Sequence, residues 1–357
     1  MGNDTITQPE ELFSGVLGDP RLDERVKKGW SIDEVLPAAA TVNWKAKAIS
    51  ELANYPIWNQ DGSSACVAFA KAKQISIAVF KATGVWIDFS PASIYQLRIN
   101  KPGLGMNIAD ANEIVNKRGA VLEALMKSQN LSEAAINAVK RTPVADMFAL
   151  AIAEAVVSYL YVPANNIDRI AQTIESGKGV SLLIFAMPDE YTDTPTIKYP
   201  NLTYEQATIR HEVDATDYYL HKKFGKVLWI DDSWGVGHGQ GGHRNFTEAW
   251  ISKRVILADA LDVFTFEPGV VKPQFNFQVD LKYGVSNPDN VKLQDMLKYE
   301  GHFPSNQPST GNYGDITAKA VLAWQLSNNV GPVNELVPLG GRSFGPKSRA
   351  VANQKFA

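Results

Sequence analysis

The order in which periodicities follow one another does most to restrict the fold of this chain. Residues 107–178 read largely as helices, in "IADANEIVNKRG", "SEAAINAVKR", "FALAIAEAVVSYL" and "IDRIAQTIESG". Residues 179–268 read instead as strands broken by glycine-rich turns, in "VSLLIFAM", "HEVDATDYYLHK", "KVLWIDDSWG" and "ALDVFTFEP". Helices first and strands afterwards predict an α+β fold with the two kinds of element segregated. Ahead of them, "SSACVAFAKAKQISIAVFKATG" (63–84) predicts a helix that begins after a serine cap and stops at Gly84. Its apolar residues, among them Val67, Phe69, Ile75, Ile77 and Phe80, wrap most of the circumference, so the helix is expected inside a domain.

A chain of 357 residues has room for roughly two domains. Residues 1–41 are polar and mixed and promise no core of their own; the dense pattern runs from 42 to 268. The proline-dotted stretch "EPGVVKPQFNFQVDLKYGVSNPDN" predicts a linker over 269–288, and short helical pieces over 289–357 predict a small module. The chain has one cysteine, which excludes an internal disulfide framework, so the fold stands on packing. A net charge of −3 without basic runs leaves no electrostatic footprint for nucleic acid or for an anionic membrane. "MGNDTITQPEELF" lacks the basic start and apolar stretch of an export signal, and no segment approaches the ~18 apolar residues of a membrane span.

A free cysteine is ordinarily an inert core residue. Cys66, however, falls in the first turn of the expected buried helix, where the helix N-terminus favours the thiolate. A base must come from His211, His221, His238, His243 or His302. His211 opens a strand, a turn and a second strand that ends in Asp231-Asp232, followed by Ser233-Trp234-Gly235. Neighbours on a strand point to opposite faces, so only one of the two acids can face His211. His238 and His243 in "GHGQGGH" read as turn residues, since no cysteine lies near and the glycines leave the loop poorly pre-organised for a metal. "SGKGVSLL" (176–183) lacks the glycine spacing of a phosphate loop and reads as a helix stop and strand start. Neither a metal nor another cofactor is expected.

Asn59-Gln60, then Cys66-Val67-Ala68-Phe69, then His211-x-Val-x-Ala ahead of a Trp-Ile strand and Asp232-Ser233-Trp234-Gly235, together resemble the papain-like cysteine peptidase family. His211 follows Cys66 by 145 residues, within the about 130–150 of that family. "VNW" (42–44) resembles the start of its mature domain, and "GHGQGGHRNF" its glycine-rich hairpin. The resemblance implies two lobes, one helical and one of antiparallel strands. It makes Cys66 the nucleophile and His211 the general base and acid, with a thiolate–imidazolium pair as the resting form. Asp232 would orient the imidazole under cover of Trp234, with Ser233 supporting the site. Gln60 and the Cys66 N–H would form the oxyanion hole. The chain departs from the family pattern in four places: Asp232 replaces the usual Asn, Val67 the usual Trp, Ser63 a disulfide cysteine, and the residues before "VNW" are fewer than the usual inhibitory pro-region.

"VKLQDMLKYEGHFPSNQPSTGNYGDITAKAVLAWQLSNNV" resembles the small three-helix peptidoglycan-binding domain, with "FGPKSRAVANQKF" (344–356) as its last helix. Leu293, Leu297, Val321 and Trp324 would make its core, Gly314 its tight turn, and Thr317 the start of the next helix. Taken together, the resemblances imply a cysteine endopeptidase acting on protein or peptide substrates and carried to the bacterial cell wall by a peptidoglycan-binding module. They suit a phage-encoded protein, cytoplasmic or virion-associated. The alternative is a catalytically inactive papain-fold structural or adaptor protein of a virion.

Overall fold

A computed structural model describes residues 15–25, 30–34, 36, 41–84, 86–141, 156–263, 275–303 and 308–356. They form two compact units, one drawn from residues 15–116, 122–140 and 158–262, the other containing 275–356.

In chain order the first unit contains β1 (Trp30–Ser31), α1 (Cys66–Thr83), α2 (Pro91–Tyr95), α3 (Ile108–Arg118), α4 (Glu133–Ala138) and β2 (Val156–Val162). Then follow α5 (Ile167–Glu175), β3 (Val180–Ala186), β4 (Ile209–His221), β5 (Gly225–Asp231), β6 (His243–Thr247), α6 (Glu248–Arg254) and β7 (Val255–Val263). One sheet of seven strands runs β1-β2-β7-β3-β4-β5-β6, antiparallel from β7 through β6, with β1 parallel to β2. This is the expected α+β class.

The two faces of the sheet are unlike. Ile209, Val213 and Ala215 of β4 join Leu182, Ile184, Leu228, Ile230 and Trp250 in one apolar cluster, to which α5 adds Ile167, Ile170, Ala171 and Ile174. Their spacing along α5 puts all four on one face, each burial stabilising by about 1.5–3 kcal/mol. On the opposite side Lys71 of α1 holds Glu212 of β4 at 2.9 Å and Asp259 of β7 at 2.6 Å, all three side chains sealed from solvent. Ser181 Oγ donates to Asp259 at 2.6 Å and Asn112 Nδ2 does so at 3.0 Å. Buried charges persist only when paired and hydrogen-bonded, so this cluster fixes the height of α1 on the sheet. Cys66 lies at the N-terminal end of the same helix.

Several expectations need correcting. Within the expected helix at 148–160, residues 148–155 lie outside the described residues, and 156–160 belong to strand β2. The β-branched Val156-Val157 and the tyrosines beyond suit a pleated surface better than a helix. Helix α1 begins on Ala65, which makes no side-chain cap, although it does end at Gly84 in the left-handed conformation, φ 73°. Ser63 and Ser64 are engaged elsewhere, Ser63 Oγ on the Gln60 carbonyl and the Ser64 N–H on Glu133. Residues before 42, expected to have no core of their own, add buried Val16 and Ile32 and the strand β1 to the first unit.

The second unit contains α7 (Pro288–Tyr299), α8 (Asp315–Ser327), α9 (Val333–Leu339) and α10 (Pro346–Phe356), with a two-stranded ribbon β8 (Leu281–Lys282) and β9 (Ser343–Phe344). Leu293, Leu297, Val321 and Trp324 are fully buried at its centre. Phe277 and Leu281, placed by the sequence in the linker, lie in the same core. Gly314 precedes α8 with extended backbone, φ −94°, so its conformational freedom is not used; the left-handed position is Gly311, φ 75°. Among the described residues no helix is long and apolar enough to cross a membrane.

Candidate active site

Cys66 is the first residue of α1 and is completely buried. Burial pushes its thiol up to about 12, against the backbone N–H groups of Glu212 and Val67 that reach the sulfur, and the Glu212 and Asp232 charges push the same way as burial. Burial thus disfavours the thiolate of the thiolate–imidazolium pair that the resemblance implies.

The segment around Gly15 lies directly against the sulfur. A Cβ at Gly15 would overlap the Cys66 sulfur and stand 3.0 Å from the Ser64 carbonyl oxygen. The neighbouring backbone is stitched down on both sides. Val16 N–H donates to the Arg210 carbonyl at 3.2 Å, Leu17 N–H to the Met106 carbonyl at 3.0 Å, and Met106 N–H to the Gly15 carbonyl at 2.9 Å. Gly18 N–H meets the Tyr204 hydroxyl at 3.1 Å. Nothing in the sequence around Gly15 signalled this contact, because it depends on a partner 51 residues away.

His211 is fully buried on β4. Its Nε2 lies 3.2 Å from Asp232 Oδ1, and since a carboxylate accepts, Nε2 carries the proton. Nδ1 has no hydrogen-bond partner among the described residues. Trp234 stacks on the imidazole, ring centres 5.0 Å apart and planes 30° from parallel, and so covers the His211–Asp232 bond. Tyr191 meets both rings edge-on, 5.8 Å from the imidazole and 5.0 Å from Trp234.

Asp232 follows β5. Its second oxygen receives Arg244 Nε at 2.7 Å and the Tyr191 hydroxyl at 3.1 Å. Burial alone would raise this carboxyl; the Arg244 charge and the His211 hydrogen bond outweigh it and hold the group below the usual carboxylate range. Tyr191 is itself located by the buried pair Glu190–Arg254, 2.7 Å apart, just before it in the chain. Gln60 is buried beside the start of α1. Its Oε1 accepts from Ser233 Oγ at 2.6 Å and its Nε2 donates to the Ser63 carbonyl, so the amide orientation is fixed from both ends. The Gln60 N–H adds a bond to the Ser233 carbonyl at 2.8 Å. His211, Asp232 and Trp234 thus form one set of contacts and Gln60 and Ser233 another, joined through the chain from Asp232 to Trp234, while Cys66 lies against the Glu212 N–H.

Sequence reasoning missed Arg244, Lys71 and Gly15. The two lysines in the otherwise apolar turn "CVAFAKAK" were the available sign that α1 packs on acids. His243 also needs correcting. It is a buried strand residue on β6, with Nδ1 2.9 Å from Asp231 Oδ1 and its ring stacked on Trp229 at 4.5 Å, and not a turn residue. Asp231 faces away from Asp232, toward His243 and Lys73 Nζ at 3.0 Å. No group of three His, Cys, Asp or Glu among the described residues is placed to hold a metal ion.

No family model and no curated protein matches the chain. Among solved structures it is similar to a digestive procathepsin L proteinase from Tenebrio molitor larval midgut, at 18% identity over 72% of this chain and 81% of that one, TM-score 0.55. It is also similar to xylellain, a cysteine protease from Xylella fastidiosa, at 16% identity over 71% and 97%, TM-score 0.51. At such identities the likeness speaks for the fold, which is papain-like and two-lobed, with helices on one side and an antiparallel sheet on the other.

Proposed function

We propose that the chain is a papain-like cysteine endopeptidase, hydrolysing peptide bonds through Cys66, His211 and Asp232, and that the form described here is latent. One observation carries the reading: His211 is held by Asp232 at Nε2 and covered by Trp234, while Nδ1 is left unbonded. In the reaction Nδ1 takes the thiol proton as sulfur attacks the carbonyl carbon. The oxyanion then meets the Gln60 amide and the Cys66 N–H, one of the unpaired donors at the start of α1. Collapse breaks the C–N bond, the imidazolium returns its proton to the leaving amine, and water hydrolyses the thioester. None of this proceeds while Gly15 covers the sulfur, so the segment must leave first.

Residues 289–357 are proposed as a peptidoglycan-binding-like module, 269–288 as its linker and 42–268 as the peptidase domain. The resemblance of Leu293-Gln294, Gly311-Asn312-Tyr313-Gly314 and Trp324 supports a wall-directed role, with peptide stems or wall proteins as substrates and a phage virion as carrier. Co-sedimentation of the full chain, as Cys66→Ala, with purified peptidoglycan tests this part; a chain that stays in the supernatant removes it.

The peptidase reading is tested by the rate at which an epoxide inactivator alkylates Cys66 between pH 5 and 10, after residues 1–20 are removed, in the wild type and in His211→Ala. Fast reaction below about pH 6 that is lost in His211→Ala is the expected result. A slow reaction rising only near the pH of an ordinary thiol, about 8.5, favours the alternative of an inactive structural or adaptor protein. The complete burial of Cys66 is the observation on that side.

A further inference from the structure

We propose that Arg244 is a positioning residue that cancels the charge of Asp232, so that His211 hydrogen-bonds to a net-neutral ion pair and not to a bare carboxylate. The catalytic meaning of this rests on the peptidase reading; the electrostatics do not.

A carboxylate behind an imidazole does two things that an amide does not. It adds a full negative charge where solvent cannot screen it, and it favours the imidazolium at the expense of the base. Asp232 and Arg244 have side chains only 1% and 5% exposed, so neither charge is relieved by water. Asp232 divides its oxygens between the two partners: Oδ1 serves His211, and Oδ2 takes Arg244 Nε and the Tyr191 hydroxyl. Arg244 stands opposite Ile230 on the β5–β6 ladder, which sets its height beside Asp232. Its guanidinium lies 4.1 Å from the Tyr191 ring centre and 5.5 Å from that of Trp234, the same two rings that enclose His211.

The groups that face Asp232 are thus His211 from β4, Arg244 from β6 and Tyr191 from the loop after β3, and its charge also reaches Cys66 on α1. Asp231 does not compete for Arg244, because it has its own partners in Lys73 and His243 on the other side of the strand. Each of the two successive acids is therefore matched to a separate cation. With Arg244 in place, His211 sees an acceptor that orients like an amide, and the proton on the imidazole stays free to move.

The test reads the charge of His211 directly, by titrating imidazole 15N shifts in the full-length chain. The chain has five histidines, and loss of one signal in His211→Gln assigns the resonance. A Cys66→Ser background removes coupling to the thiol. Arg244→Met is expected to raise the His211 pKa by about one unit or more, and Asp232→Asn, which strands the guanidinium, to lower it by a similar amount. The double variant is expected to return to within about half a unit of the starting value, and Arg244→Lys to stay near it. An unmoved pKa in Arg244→Met, or a double variant that keeps the displacement of either single change, overturns the proposal. Should Arg244→Met not fold, the comparison of Asp232→Asn with the double variant decides: removal of Arg244 must raise the pKa there, and a flat response is a refutation. None of these readings depends on peptidase activity, so an inert Cys66 would sink the proposed reaction and leave this result standing.

Discussion

Gly15 lies against Cys66 so closely that even a methyl group in place of a glycine hydrogen would overlap the sulfur. The expected consequence of Gly15→Ala is displacement of the segment from the thiol, because the Ser64 carbonyl behind it is rigid backbone 3.0 Å from the new carbon. With Gly15 in place, iodoacetamide should react with Cys66 only as the pH climbs toward its value of about 12. In Gly15→Ala the rate at pH 7 should rise by about tenfold or more, as sulfur gains solvent and a larger thiolate fraction. An unchanged rate would show that the segment does not limit access.

Lys71 touches both Glu212 and Asp259 in the sealed cluster beneath α1. Lys71→Met would keep the apolar stem and leave two carboxylates uncompensated. Urea denaturation is expected to show a loss of about 3–5 kcal/mol, with the urea dependence of the free energy unchanged. A loss under about 1 kcal/mol would mean that the cluster does not hold α1 on the sheet.

Asp214 presents a different balance. It is 4% exposed, its Oδ1 has no partner, and burial raises its carboxyl well above the usual range. A raised acid costs stability as pH climbs from the unfolded value near 4 toward the folded one, because only the unfolded chain releases the proton freely. Asp214→Asn should therefore match the wild type below about pH 4 and exceed it at pH 7 by about 1–3 kcal/mol. Melting curves at the two pH values decide; a gain of equal size at both would exclude the proton as its source.

In the second unit, Gly341 has φ +64° and its missing Cβ would strike the Ala318 carbonyl oxygen and stand 2.5 Å from the Leu322 nitrogen. The Tyr313 hydroxyl donates to the Gly341 carbonyl at 2.5 Å, so the loop cannot move away without stranding a buried group. Gly341→Ala is expected to lower hydrogen-exchange protection of the α8 amides at least tenfold, about 1.4 kcal/mol. Unaltered protection would show that the loop yields at little cost.

How far the sequence carries depends on where the determining contact lies. Cys66, His211, Asp232, Gln60, Ser233 and Trp234 can be named because each sits in a short local pattern, and the stranded half is readable from short apolar runs in β3, β4 and β5 separated by turn residues. Strand β2 is not, since its valines follow an alanine-rich run whose composition also satisfies a helix, and only pairing in the sheet decides between them. Arg244 looks like an ordinary surface charge until the fold brings Asp232 to it. The role of Gly15 is invisible for the same reason. A glycine is conspicuous in sequence when it turns the chain, but not when it merely lets another atom come close.

The segment over Cys66 belongs to the same stretch of chain that goes on to supply β1 and the buried Ile32. Its grip on the cleft is therefore that of a tethered ligand, present at an effective concentration on the order of millimolar whatever the dilution of the protein. A single backbone cut between Val16 and Trp30 would change the order of the reaction, from a unimolecular opening to the loss of a diffusible peptide. Dilution below the peptide's own dissociation constant would then drive release and open the thiol, and adding the peptide back would close it again.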